Sequence, residues 1–464
     1  MRLEGSGSSL ELTDNARVAV MGGGPAGSMT AYFMLEMAKQ VGIRLQIDIY
    51  EPRSFHLTGP RGCNFCGGII SESLVEMLAA EGLQLPQEVI IDTINTYTLH
   101  TKVGSVPIQS PKDEMRIAGI FRGGGPKGAE SQRPLPWDSF DWFLLQRACA
   151  QGARHVPHRI TDLSWSAGRP VVTSRGGGGG TYDFLVAATG LNGGSMEVLG
   201  HLNFGYKPPK TTKAYVAELY YGNEQVEKLL GDSMHVFLLD IPGLKFVALT
   251  PKRHYATLII LGDDINRDMI VRVFKSPQVQ ALFPLGWDIP VHPCQCYPHI
   301  NIGMSSGKLF TDRVVVVGDC GVSRLYKDGI GAAYRTAKAC AVTAVTHGVS
   351  AADFRQYYHP VCRKMSLDND VGHILFAIDG VSSRFDFLRE GMLDTVRREQ
   401  RYPHRRHSLS AALWDTFTGS ASYADIFMRT FNPLIMSHYL WASFKALGRR
   451  IGRRLMLRPE EKER

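Results

Sequence analysis

The stretch RVAVMGGGPAGSMTAYFMLEMAKQ, residues 17–40, narrows the possible fold more than any other part of the chain. A β-branched run enters a glycine turn directly, with Gly22, Gly24 and Gly27 at the spacing Gly-x-Gly-x-x-Gly, and a helical stretch follows at once. A second apolar run, LQIDIYE, ends at Glu51 and completes a strand–helix–strand unit. In such a unit the first glycine permits the tight turn and the second lets the backbone approach a pyrophosphate. The third allows close helix–strand packing, and the helix N-terminus offers unpaired N–H groups to the phosphates. Pro25 and Ala26 complete the turn, and Glu51 is placed to accept hydrogen bonds from an adenosine ribose. This is a dinucleotide-binding signature.

A second element decides which dinucleotide. Residues 313–317, RVVVV, read as a buried strand and run into Gly318-Asp319, followed by KDGIGAAYRTA. An aspartate at the end of a buried strand can accept hydrogen bonds from a ribityl chain. Gly329, Ile330 and Gly331 then bring a helix N-terminus near the ligand, and its partial positive charge favours the negative charge that a reduced flavin gathers. A nicotinamide-only enzyme has no use for this element, so the cofactor expected is FAD. The alternative for Asp319 is a simple turn cap.

With both halves in view, the sequence resembles the flavoprotein family that includes aromatic hydroxylases of the p-hydroxybenzoate hydroxylase type, flavin-dependent halogenases and geranylgeranyl reductases. The resemblance spans roughly residues 17–345 and places FAD on Gly22, Gly24, Gly27, Glu51, Gly318, Asp319, Gly329 and Gly331. Where the family often has proline seven residues after the aspartate, this chain has Tyr326. CNFCGGII is most similar to the geranylgeranyl reductase branch, whose Cys-Gly-Gly element corresponds to Cys66, Gly67 and Gly68. That branch also carries an aromatic-x-Trp-x-Phe-Pro-Lys segment. Phe246, Pro251 and Lys252 retain part of it, with Ala248 and Thr250 in place of the Trp and Phe. An arginine upstream of a helix is a further family element, matched by Arg133, which could reach phosphate or flavin oxygens. Hydroxylases often place Asp-Gly after a buried strand, and here Thr189-Gly190 stands there; the Trp-x-Trp-x-x-Pro signature of tryptophan halogenases is absent.

The fold class expected is α/β. A Rossmann-type FAD-binding domain comes in two parts, residues 15–205 and 306–350. Between them, residues 206–305 form an antiparallel β-sheet substrate domain, in which AYVAELYY, HVFLLDI, KFVALT and YATLIILG fall at hairpin spacing. Residues 351–464 form a helical C-terminal region, with Pro403 and Pro433 as breaks. VVTSRGGGGGTYDFLVAATG reads as two strands joined by a polyglycine turn.

At 464 residues and 44% hydrophobic content the chain can bury a large core. Its start lacks the cationic and apolar regions of a secretory signal, and no run is apolar for the length a bilayer crossing needs, so the expectation is cytoplasmic. Eight scattered cysteines read as reduced thiols, although Cys63/Cys66 and Cys294/Cys296 could together supply four soft metal ligands or redox groups. The formal charge is +8, and residues 381–464 hold sixteen Lys or Arg against nine Asp or Glu. In LIMSHYLWASFKALGRRIGRRLMLRPEEKER, Leu440, Trp441, Phe444, Leu447, Ile451 and Leu455 recur at three- and four-residue steps among basic residues. Such a helix lies on an anionic membrane or docks on its own domain; without a recognition module, nucleic acid is not the expected partner.

The function expected is hydride transfer between FAD and a hydrophobic small-molecule or lipid substrate, geranylgeranyl reductase-like. Cys66, Tyr326 and Lys327 stand as candidate catalytic residues, and NAD(P)H or a donor protein as the source of electrons. The alternatives are a flavin monooxygenase acting on an aromatic small molecule or a protein side chain, and a non-catalytic flavin-bound membrane adaptor.

Overall fold

The computed structural model describes residues 10–59, 62–110, 116–123, 138–287, 294–402 and 408–456. Strand Ala16–Met21 occupies the middle of a six-stranded sheet, paired in parallel with Leu45–Tyr50 on one side and Phe184–Ala187 on the other. Arg154–Val156 and Val314–Val316 extend the parallel order outward, and Phe310–Thr311 closes one edge antiparallel. Val18, Ala19, Val20 and Val314–Val316 are wholly buried, which accounts for the unbroken apolar runs: the parallel sheet is covered by helices and by a small three-stranded sheet, whose Ile160, Leu163 and Val172 share its core. Helix Pro25–Val41, which packs against helix Gly329–Val342, begins with proline, whose missing N–H costs nothing there, and ends on a left-handed Gly42. One strand separates the strand that enters the glycine turn from the strand that enters Gly318. Both motifs therefore emerge at the carboxyl edge of one sheet, where open α/β sheets bind ligands.

The second large sheet contains the four expected strands, Thr211–Tyr220, Ser233–Leu238, Leu244–Lys252 and Tyr255–Gly262, paired antiparallel. It also recruits a hairpin from outside the expected segment, and two short strands near that segment's end. Thr96–Thr101 joins Ser233–Leu238 in parallel and carries Gly104–Gln109 beside it, while Cys294–Cys296 and His299–Asn301 pair with Thr211–Tyr220. Period-two alternation divides the sheet's two faces. Tyr215, Ala217, Phe237, Leu249, Leu258 and Ile260 bury against helices Asn223–Leu229 and Arg267–Phe274. The opposite face is free to line the site.

The polyglycine segment differs from expectation. Arg169–Ser174 and Gly179–Thr181 are a hairpin in a separate three-stranded sheet, and the apolar run after them, Phe184–Ala187, belongs to the parallel sheet, so the run holds three strands rather than two. The C-terminal region is helical throughout its described length: His359–Ser382, Asp386–Arg401, Ser408–Thr418, Tyr423–Thr430 and Pro433–Met456. Pro433 opens the last of these, and Pro403 lies outside the described residues. Among the described residues, no helix is long and apolar enough to cross a membrane.

Candidate active site

A cavity of about 340 Å³ opens between the carboxyl edge of the parallel sheet and the free face of the second sheet. Gly22, Gly24, Pro25, Ala26, Glu51, Cys66, Gly67, Gly68, Asp319, Tyr326, Lys327, Gly329 and Ile330 all line it. The structure thus gathers residues separated by three hundred positions around one space. Gly27, Gly318 and Gly331 stand just behind that lining and shape it. A Cβ on Gly27 would overlap the Gly22 carbonyl oxygen, so only glycine lets helix Pro25–Val41 sit this close to the turn. Gly318 abuts the Ala26 methyl, where a Cβ would come within 2.7 Å, so the two halves of the signature touch. Gly331 donates its N–H to Asp328 Oδ1 at 3.0 Å, which caps the helix and leaves Gly329 and Ile330 as the turn facing the cavity. Arg133 lies outside the described residues.

The donor and acceptor set suits FAD. Helix Pro25–Val41 starts at Gly24 without a side-chain cap, so its N-terminus is open to phosphate. The Glu51 carboxylate is fixed by the Gly23 N–H at 2.9 Å and the Arg53 N–H at 2.8 Å, and burial holds its pKa above the usual range. Asp319 is the most telling group. The residue is half-buried, but its Oδ1 is buried and has no hydrogen-bond partner, and burial raises its pKa, partly offset by Ser323. A buried carboxylate oxygen without a donor is costly, and a polyhydroxyl chain would supply the donor it lacks. Asp319→Asn should therefore have effects of opposite sign. It should raise the unfolding midpoint of the flavin-free protein, on the order of 2 °C for about 1 kcal/mol, while flavin retention on a desalting column falls. A lower midpoint in the flavin-free protein would contradict the assignment.

Across the cavity lies the sheet. Ala214, Val216, Met234, Val236, Phe246, Ala248, Ile259 and Leu261 present an apolar surface, and the Cys66-Gly67-Gly68 loop lies directly on it. A Cβ on Gly67 would overlap Ile259 Cδ1, which is the physical need for glycine beside Cys66. Tyr326, in the left-handed region at φ 57°, stands edge-on to Phe376 with ring centroids 5.1 Å apart. Lys327 faces the other way. Its Nζ donates to the carbonyls of Asp415 and Ala421 at 3.0 and 3.2 Å and sits 3.9 Å from the Tyr423 ring centre, pinning the C-terminal helices to the flavin loop. Burial, reinforced by Arg324, holds its pKa well below the ordinary lysine value.

The Cys pairs converge from two distant segments. Cys294 and Cys296 lie opposite Glu218 and Val216 on an edge strand, and the Cys63–Cys66 loop covers the same face. Burial pushes the Cys63 thiol up to about 12, with Cys294 and Glu218 adding to the rise, so it is protonated at neutral pH. Among the described residues, no group of three or more His, Cys, Asp or Glu is arranged to hold a metal ion.

One feature was not legible beforehand. Arg122, in the cavity wall, pairs with the fully buried Asp141 through two hydrogen bonds of 2.7 Å. Asn64 links this pair to Arg53, donating to Asp141 at 2.8 Å and accepting from Arg53 at 2.7 Å. The signal available was an arginine at the end of an apolar run, before a glycine-rich loop, with an aspartate in the next helix.

No protein-family model matches the chain, and neither does any curated protein. Solved structures do. A geranylgeranyl bacteriochlorophyll reductase-like protein from Thermoplasma acidophilum superposes with a TM-score of 0.61 at 14% identity, over 93% of this chain and 100% of that one. A flavin-dependent halogenase gives 0.53 at 17% identity, over 92% and 72%. The tetrameric form of 2-methyl-3-hydroxypyridine-5-carboxylic acid oxygenase gives 0.52 at 16%, over 77% and 91%. The chain therefore has the fold of the FAD-dependent oxidoreductases, as its motifs implied.

Proposed function

We propose that the protein is an FAD-dependent oxidoreductase that reduces a hydrophobic, unsaturated substrate lying between the flavin and the second sheet. The observation that carries this reading is the junction of two surfaces in one cavity: the split dinucleotide motif with the unpartnered Oδ1 of Asp319 on one side, and an apolar sheet face on the other. Bound FAD would supply two-electron redox chemistry as a hydride donor or acceptor.

The chain's own residues would do the rest. The Gly22–Gly27 turn and the helix N-terminus behind it hold the pyrophosphate, Glu51 the ribose and Asp319 the ribityl chain. Val216, Val236, Phe246, Ala248, Ile259 and Leu261 exclude water and bind hydrocarbon without orienting it through hydrogen bonds. Saturating a double bond needs a proton as well as a hydride, and Cys66 and Tyr326 are protic side chains in the same chamber. Cys66 Sγ accepts the Gly68 N–H at 3.4 Å, which fixes its position over the sheet. Lys327, committed to the carbonyls of the C-terminal helices, acts in this reading as a positioning residue.

The test is anaerobic reduction of the purified protein followed by mixing with a polyprenyl lipid or with air-saturated buffer, recording flavin absorbance. Lipid-dependent reoxidation without oxygen supports the reductase. Reoxidation by oxygen alone, coupled to hydroxylation of an added aromatic and indifferent to lipid, would replace it with a monooxygenase; one structural neighbour is an oxygenase. A protein that neither retains nor takes up flavin would refute both.

A further inference from the structure

We infer that the last helix, Pro433–Met456, is an anchor that seats the protein on an anionic lipid surface, a role separate from the redox site. The helix is amphipathic, and in the usual arrangement its large apolar residues would face the protein. The structure has the opposite arrangement. Where it meets Gly391 of helix Asp386–Arg401, the inward face is built from small residues: Ser443 and Ala446 are buried, and a Cβ on Gly391 would overlap Ser443 Oγ, while Ile435 packs one end of the contact beside Leu393 and Val396. This close approach leaves no room for large side chains at that crossing. Ion pairs fix the rotation, Arg450 to Asp386 at 2.8 Å and to Glu390 at 2.7 Å, and Arg449 to Asp394 at 2.6 Å.

Held this way, the helix points its large apolar side chains at solvent. Leu434, Trp441, Phe444 and Ile451 follow one stripe at steps of seven, three and seven residues and are 66%, 52%, 68% and 50% exposed. Leu440 is exposed beside them, and Met428 on the preceding helix. The Lys445 ammonium lies 3.4 Å from the Trp441 ring centre, so a cation sits at the edge of the stripe. Over residues 433–456 the sequence holds five Lys or Arg and no Asp or Glu; Arg449 and Arg450 answer carboxylates of helix Asp386–Arg401, which leaves Lys445 beside the stripe and Arg453 and Arg454 after it in the sequence.

Charge selects the occupant. A second copy docking through the same stripe would bring the two Lys445 ammonium groups to one interface, and an apolar pocket of another protein would leave Lys445 without an anion. An anionic bilayer takes both parts at once: the aromatic and aliphatic stripe enters the interface, and the basic residues meet lipid phosphates. The same surface would give the protein access to a hydrocarbon substrate dissolved in that bilayer.

The experiment is co-sedimentation of the full-length, flavin-loaded protein with vesicles of phosphatidylcholine alone or with roughly one-third phosphatidylglycerol. Binding is expected to the anionic vesicles, to fall in high salt, and to drop by about tenfold or more in the Trp441→Ser, Phe444→Ser double variant. Both side chains are exposed, so the variant should keep its melting midpoint and flavin absorbance, which separates failure of the anchor from failure of the redox reading. Equal binding by variant and parent, or no binding to anionic vesicles, would overturn the proposal. So would a dimer in solution that the double variant converts to monomer, since the stripe would then belong to self-association.

Discussion

Gly27→Ala should yield a folded but colourless protein. The added methyl would overlap the Gly22 carbonyl oxygen and crowd Val20 Cγ1 at 3.0 Å, and neither can retreat. Gly22 belongs to the turn itself, and Val20 is fully buried in the central strand. Helix Pro25–Val41 would have to move away from the strand, carrying its N-terminus off the phosphate position. Overpacking of this kind costs about 1–3 kcal/mol, which a chain of this size can bear, whereas a displaced helix terminus would reduce flavin retention by at least about tenfold, or 1.4 kcal/mol. Gly42→Ala is the control. Gly42 has φ 77° but open space around it, so alanine there should cost about 1 kcal/mol of strain and leave flavin content unchanged. Flavin absorbance per mole of purified protein, read beside a thermal melt, separates the two. Equal loss of flavin in both variants would mean that general destabilisation, not the helix position, releases the cofactor.

The parts of this molecule that were legible in the sequence are those whose physics is local. A glycine turn between a buried strand and a helix carries its own reason for each residue, so the strand–turn–helix through Gly22–Gly27 and the strand that ends just before Glu51 could be read from spacing alone. Of the four strands between residues 211 and 262, the last three announced themselves because each pairs with its neighbour in sequence through a short connection, whereas Thr211–Tyr220 pairs with Tyr255–Gly262 across the other two. Thr96–Thr101 did not. Its partner, Ser233–Leu238, lies more than a hundred residues away and runs parallel, so no turn residue records the pairing.

The same limit governs the site. Cys66, Gly67 and Gly68 could be singled out, but the surface they lie on, Val216 and Ile259 from different strands, is a product of register. The C-terminal helix makes the point most sharply. Its periodicity specifies two faces but not which is inward, and that choice is made by Gly391, Asp386 and Glu390 on another helix. For Lys327, proximity in sequence to the flavin motif suggested a place in the chemistry. The structure sends its ammonium to backbone carbonyls of the C-terminal helices, a partnership across some ninety residues.

The Arg122–Asp141 pair offers the second large effect, because its cost and its use can be pulled apart. Both side chains are almost fully buried, and Asp141 answers two donors, Arg122 and Asn64. Asp141→Ala should destabilise the protein by about 3–5 kcal/mol, since it leaves the guanidinium buried without its counter-charge. The paired substitution Arg122→Met, Asp141→Val removes both charges with only a small change in total volume and should restore most of that loss, as apolar replacements of buried ion pairs often do. If the pair serves only the fold, the double variant should then bind flavin like the parent. Arg122 lines the cavity, however, and carries a fixed positive charge into its wall, so the stable double variant is expected to hold flavin more weakly. Urea unfolding gives the first quantity and flavin titration of the flavin-free protein gives the second. Parent-like affinity in a stable double variant would assign the pair to the scaffold, while weakened affinity at restored stability would identify Arg122 as a cofactor-side group that its position in the chain, ahead of a glycine-rich loop, does not by itself reveal.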